Sequence, residues 1–104
     1  MMLSYYDSIG FMIASFQDDE TRKVWEGERS RKLPLQIQAV ARRKLRMLNN
    51  ARSVADLRVP PGNCLEPLKG SRNGQWSIRI NDQWRVCFVW SDGNSERTEI
   101  CDYH

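Results

Sequence analysis

Several residues in this sequence could together cleave a phosphodiester without a metal. Lys69 and Arg72 stand three apart in Leu68-Lys69-Gly70-Ser71-Arg72-Asn73-Gly74, a glycine-containing turn whose backbone amides can also approach a phosphate. Arg79 and Arg85 each interrupt a strongly apolar segment, and the sequence finishes Asp102-Tyr103-His104 with its one histidine last. A terminal carboxylate and Asp102 would favour the protonated imidazole, and Tyr103 adds a phenolic donor and acceptor beside it. Attack by an RNA 2′-hydroxyl on its own phosphate needs a group to take the hydroxyl proton, cations for the charge gathering on phosphorus, and a proton for the departing 5′-oxygen.

Taken one at a time, each feature also has a plainer reading. A Lys/Arg turn is common hairpin decoration, and its spacing is not that of a phosphate-binding P-loop. Arg79 and Arg85 could pair with Glu96 or Glu99 on a neighbouring strand, and a bulge would reverse the strand parity that puts them on one face. A last-residue histidine is usually inert. Residue types alone leave these alternatives open.

Other chemistries find little support. A single His, scattered carboxylates and three Cys without close paired spacing form no recognisable metal-ligand set and no Ser/His or Cys/His nucleophile arrangement, so no metal or cofactor is expected. Cys64, Cys87 and Cys101 fall in or beside strands, where buried thiols are common, and all three are expected in the core. Their odd number fits a reducing compartment better than a disulfide framework. No apolar run approaches the roughly 18 residues of a membrane span, so no membrane partner and a cytoplasmic location are expected.

With 104 residues the chain supports one hydrophobic core. Sixteen Lys and Arg against thirteen Asp and Glu give a net charge of +3, compatible with a polyanionic partner. The excess is concentrated: Arg42 to Arg85 holds ten basic residues against Asp56, Glu66 and Asp82.

The elements that must position these residues are readable from periodicity. Residues 1–11 have no clear period and are expected to be an N-terminal extension, with a single domain over 12–104. Met12-Ile13-Ala14-Ser15-Phe16 alternates as a first strand. Asp18-Asp19-Glu20 favours a helix start, and that helix should stop near Gly27. A longer helix starts at Pro34 and reaches Asn49 or Asn50, with Ile37, Val40, Ala41, Leu45 and Leu48 on one stripe. Arg42, Arg43 and Arg46 lie outside that stripe, as a solvated face or a contact for a polyanion. Val59-Pro60-Pro61-Gly62-Asn63 marks a loop over 51–63. Strands are expected at Leu65–Leu68, Gln75–Ile80, Trp84–Trp90 and about Glu96–Tyr103, joined by Asn81-Asp82 and Ser91-Asp92-Gly93-Asn94. An N-terminal strand and two helices packed on one face of a mainly antiparallel sheet make an α+β fold.

The order of these pieces resembles a known family. Met12-Ile13-Ala14-Ser15-Phe16, Leu65-Glu66-Pro67-Leu68-Lys69-Gly70-Ser71-Arg72, the run from Gln75 through Trp76-Ser77-Ile78-Arg79-Ile80-Asn81-Asp82-Gln83-Trp84-Arg85-Val86, and the Asp102-Tyr103-His104 ending are similar to HigB toxins of the RelE/ParE superfamily. The resemblance covers residues 12 to 104. It implies a RelE-like fold and a ribosome-dependent endoribonuclease acting on mRNA during translation. It further implies silencing by a HigA-type helix-turn-helix antitoxin, through which the complex would bind operator DNA. By motif position it implies Lys69, Arg85, Tyr103 and His104 as catalytic residues and Arg72, Arg79 and Asp102 as phosphate-binding or orienting ones, with Arg42, Arg43 and Arg46 as a ribosome contact. The competing class is a ParE-like inhibitor of DNA gyrase, against which Lys69 and the Asp-Tyr-His ending argue. Two departures stand out: Glu66 where some relatives carry a histidine, and Ser71 where an acidic residue is common. Glu66 would place negative charge near the substrate phosphate, giving a weaker nuclease or one more dependent on His104.

Overall fold

A computed structural model describes residues 13–102. The expected extension over 1–11, Met12, and the Tyr103-His104 ending lie outside the described residues.

Helix α1 spans Asp19–Trp25, and the Asp18 carboxylate caps it by accepting the Thr21 amide at 2.7 Å. Acidic Asp19 and Glu20 occupy its first turn, where they oppose the positive end of the peptide dipoles. Gly27 stops it at φ 84°, a left-handed conformation that suits a residue without a side chain. Helix α2 spans Leu35–Asn50 after Pro34. Its buried stripe holds Ile37, Ala41, Leu45 and Leu48 as periodicity predicts, but also Gln38 and Lys44. Gln38 is satisfied locally, since its amide nitrogen donates to the Ser30 and Leu33 carbonyls and its oxygen accepts the Ser30 amide.

The loop over 51–63 is more structured than its composition suggests. It contains 3-10 turns at Val54–Arg58 and Pro61–Asn63, the first capped reciprocally by Ser53 and Asp56.

Four strands follow: β1 Glu66–Pro67, β2 Trp76–Arg79, β3 Trp84–Ser91 and β4 Asn94–Asp102. They pair antiparallel in the order β1-β2-β3-β4, the meander expected of the turn residues. The Asn81 side-chain oxygen accepts both the Gln83 and Trp84 amides to close the β2–β3 turn. Asp92 and Gly93, both at positive φ, make the tight β3–β4 turn.

The expected first strand runs parallel to β4 and, among the described residues, forms two isolated bridges with it, Ile13 with Ser95 and Phe16 with Thr98. Between those bridges β4 is irregular. Cys87 faces Glu99 while Val89 faces Glu96, so β4 spends one residue more than β3, and Arg97 takes up the kink at φ 52°. This bulge lies beyond Arg85 and leaves the parity of Arg79 and Arg85 as the alternation predicts.

One sheet face holds Ile78, Ile80, Val86, Phe88 and Ile100, which pack against Ile37, Ala41, Leu45 and Leu48 of α2 and Val24 of α1. Trp76, Trp84 and Trp90 pack at its margin. Helices on one face of a mainly antiparallel sheet give the expected α+β arrangement. Across the sheet a second, smaller cluster joins Leu68, Cys87 and Cys101. Cys64 departs from expectation: it is exposed, because it ends a 3-10 turn in the left-handed conformation, φ 48°, instead of entering β1.

Candidate active site

The face turned away from the helices carries the charged residues. Register sets Arg79 directly opposite Arg85, Ser77 opposite Cys87, and Glu66 opposite Ser77, while on the far strand Cys101 faces Arg85 and Glu99 faces Cys87. Alternation therefore places Glu66, Ser77, Arg79, Arg85, Cys87, Glu99 and Cys101 on one surface. The Ser77 hydroxyl is buried without a hydrogen-bond partner in its middle.

Among the described residues the plainer alternative, an ion pair of Arg79 or Arg85 with Glu96 or Glu99, does not form. Arg79 instead reaches Asp82 in the adjoining turn. Arg85 sets Nη1 3.3 Å from Glu66 Oε1 and donates from Nη2 to the Cys64 carbonyl at 2.7 Å. Glu99 pairs with Arg72, whose Nη1 lies 3.1 Å from Glu99 Oε1 and also donates to the Gln75 side-chain oxygen at 3.0 Å. The reason is reach. Arg72, at the end of the Gly70–Arg72 turn, is within reach of Glu99 and pairs with it.

Lys69 is exposed at the start of that turn. It follows Leu68, whose side chain packs against Cys87 and Cys101. A polar cleft lined by Gln17, Ser71, Arg72, Gln75, Arg97 and Glu99 opens beside the same turn. Beneath it, a hydrogen bond from Cys101 lowers the pKa of the Cys87 thiol although burial opposes this, whereas that same bond and burial push Cys101 up.

The structure thus gathers Arg72, Arg79 and Arg85 on one face with Lys69 at its rim. Asp102 is separate: it pairs with Trp84, on the opposite parity from Arg85, and accepts a hydrogen bond from Gln83 at 2.9 Å. Tyr103 and His104 lie outside the described residues. Arg43 and Arg46 are exposed on α2, while Arg42 lies over Gly27 and donates to the Trp25 carbonyl at 3.4 Å. Because α2 packs on the core face, these arginines do not join the Arg79–Arg85 surface.

Sequence reasoning missed Glu99 as the Arg72 partner, the Cys64 carbonyl as the Arg85 acceptor, and Lys44. Only Lys44 had a signal: it falls at the spacing Ile37-Ala41-Lys44-Leu48, inside the apolar stripe.

Two helices over one face of a small antiparallel sheet, with a basic surface on the other, are features of a RelE-like toxin. A family described as RelE-like toxin of type II toxin-antitoxin system HigB matches residues 14–104, and the chain belongs to that family. Among its relatives is Toxin HigB-1 of Vibrio cholerae, 41% identical over 90 residues that cover 86% of this chain and 95% of the relative. Endoribonuclease HigB of Proteus vulgaris is 29% identical over 93 residues, covering 89% of this chain and all of the relative. Membership makes the chain the toxin of a toxin–antitoxin pair, so its counterpart is an antitoxin. Among the described residues no helix is long and apolar enough to cross a membrane.

Proposed function

We propose that this toxin is an endoribonuclease that cuts mRNA on the translating ribosome, as the name of the Proteus vulgaris relative suggests for cleavage itself. The observation that carries the reading is the cross-strand pair of Arg79 and Arg85 on the sheet face away from the helices, with Arg72 on the same face. Several guanidiniums on one rigid surface suit a phosphate whose charge grows in the transition state.

The 2′-oxygen attacks phosphorus, its proton passes to a base, and the bond from phosphorus to the 5′-oxygen breaks as that oxygen takes a proton. The products are a cyclic phosphate and a free 5′-hydroxyl. Lys69 and Arg85 stabilise the charged phosphorus centre, and Tyr103 and His104 share the proton transfers. Arg72 and Arg79 hold the flanking phosphates, and Asp102 orients the Tyr-His ending that follows it. Arg43 and Arg46, with Arg42 beside them, contact ribosomal RNA. A HigA-type helix-turn-helix antitoxin silences the enzyme and carries the complex to operator DNA. The reaction takes place in the cytoplasm, where translating ribosomes are. Residues 1–11 act as an extension outside the single toxin domain over 12–104.

Cleavage of a defined mRNA with and without ribosomes tests this reading. Wild type should cut only with ribosomes, and Arg85→Ala and His104→Ala should each be slower by about 10²- to 10⁴-fold while staying folded. Full cleavage by both variants rules out the assigned roles. Intact transcripts with gyrase-dependent DNA damage in producing cells would point to the gyrase-inhibiting branch instead.

A further inference from the structure

The helix layer and the basic face are joined by a polar connection that the reaction as described does not use. Lys44 lies in the buried stripe of α2 and is 7% exposed. Its ammonium donates to Asn63 Oδ1 at 2.6 Å. Asn63 is fully buried, and its amide nitrogen donates in turn to the Leu57 carbonyl at 3.1 Å and approaches the Met47 sulfur at 3.8 Å.

A lysine is a costly choice there. Burial lowers the Lys44 pKa, and the nearby positive charges of Arg43 and Arg79 lower it further. Leucine or methionine would fill the stripe without that desolvation. What the ammonium adds is one directional bond, and its partner stands at a decisive place in the chain.

Asn63 closes the Pro61–Asn63 turn by donating its amide to the Pro60 carbonyl at 2.9 Å. The next residue, Cys64, reverses the chain at φ 48°, ψ 51° and offers its carbonyl to Arg85 Nη2 at 2.7 Å. Two residues later Glu66 meets Arg85 Nη1 at 3.3 Å and begins β1. Two groups that grip the Arg85 guanidinium among the described residues thus come from the short segment 64–66, and the near end of that segment is tied to α2 through Asn63.

We infer that Lys44 and Asn63 form a positioning pair: by anchoring the Cys64 turn to α2, they hold the carbonyl that aims the Arg85 guanidinium at the phosphate. The inference rests on the catalytic role given to Arg85 above. Lys44 touches no substrate. It acts through Asn63 and Cys64, and its loss should be felt in catalysis only while Arg85 is present.

A double-mutant cycle on the ribosome-dependent cleavage reaction separates these possibilities. Lys44→Met keeps the apolar stem and removes the donor, and should lower kcat about tenfold, because small misplacements of a catalytic group are expensive in rate. Lys44→Gln keeps an N–H donor and should recover most of that loss. In the Arg85→Ala background, Lys44→Met should slow cleavage no further. Asn63→Ser is the second variant, with the same expected pattern, should Lys44→Met fail to fold by circular dichroism.

Equal losses from Lys44→Met with and without Arg85, or a kcat unchanged by Lys44→Met, would overturn the positioning role while leaving that of Arg85 intact. Wild-type cleavage by Arg85→Ala would instead remove the catalytic assignment and this inference with it.

Discussion

Arg79 and Arg85 sit directly opposite each other on β2 and β3, two guanidiniums in register on the face away from the helices. Like charges in that relationship oppose folding. Each has an acid of its own, Asp82 in the β2–β3 turn for Arg79 and Glu66 on β1 for Arg85. A bound phosphate would relieve the same repulsion from between them.

Arg79→Gln should accordingly stabilise the free protein, by up to about 1 kcal/mol, while weakening binding to RNA. Urea unfolding and equilibrium RNA binding measure the two effects. A variant less stable than wild type would contradict the account of repulsion.

With Arg85 in the proposed phosphate-stabilising role, Glu66 would compete with substrate for it. Its side chain is 46% exposed, so the pair is screened and modest in strength. Glu66→Gln should raise cleavage at limiting mRNA by about two- to fivefold, the rate equivalent of a screened ion pair. A large loss would instead make Glu66 a participant in proton transfer.

The three arginines of α2 should separate in function. Arg43→Glu with Arg46→Glu should weaken ribosome association and flatten its dependence on salt concentration, since each lost phosphate contact releases fewer counterions. Arg42→Glu should act mainly on stability, because the Arg42 side chain covers Gly27 and bonds the Trp25 carbonyl. Binding and unfolding measurements on each variant decide this, and equal effects on binding would refute the division.

Acid should act through carboxylates that accept hydrogen bonds in the folded chain. The Arg52 and Ser53 amides lower the pKa of Asp56, and the Ser30 hydroxyl lowers that of Glu20. A carboxylate with a lower pKa when folded binds fewer protons in that state than in the unfolded one. Its contribution is therefore full above the ordinary carboxylate range and is lost as pH falls through the folded value. Unfolding midpoints followed downward from neutral pH should drop less steeply in Asp56→Asn than in wild type. Parallel profiles would exclude the cap as a source of acid sensitivity.

Much of the frame was legible in the sequence. The Ile37-Ala41-Leu45-Leu48 stripe and the alternation of Trp84, Val86 and Phe88 follow directly from the two periods, and Asp92-Gly93 specified its turn. The shared face of Arg79 and Arg85 was legible for the same reason. Their ion-pair partners were not, because a partner depends on which side chains a turn brings within reach, as with Arg72 and Glu99. Cys64 looked like a core thiol because local composition cannot reveal a left-handed turn residue. Lys44 was hidden by its type, since a cation on a helix is ordinarily placed in solvent.

The irregular parallel bridges of Ile13 and Phe16 to β4 have a consequence for how this molecule meets others. They occupy the outer backbone of β4, and the Thr21 hydroxyl accepts the Ile100 amide on the same side at 2.9 Å. At the far side of the sheet, β1 is two residues long and one of them is Pro67, which has no amide hydrogen to give. Both borders of the sheet are thus poor templates for a foreign strand. Among the described residues the sheet therefore offers a foreign strand little open backbone, which disfavours edge-to-edge aggregation.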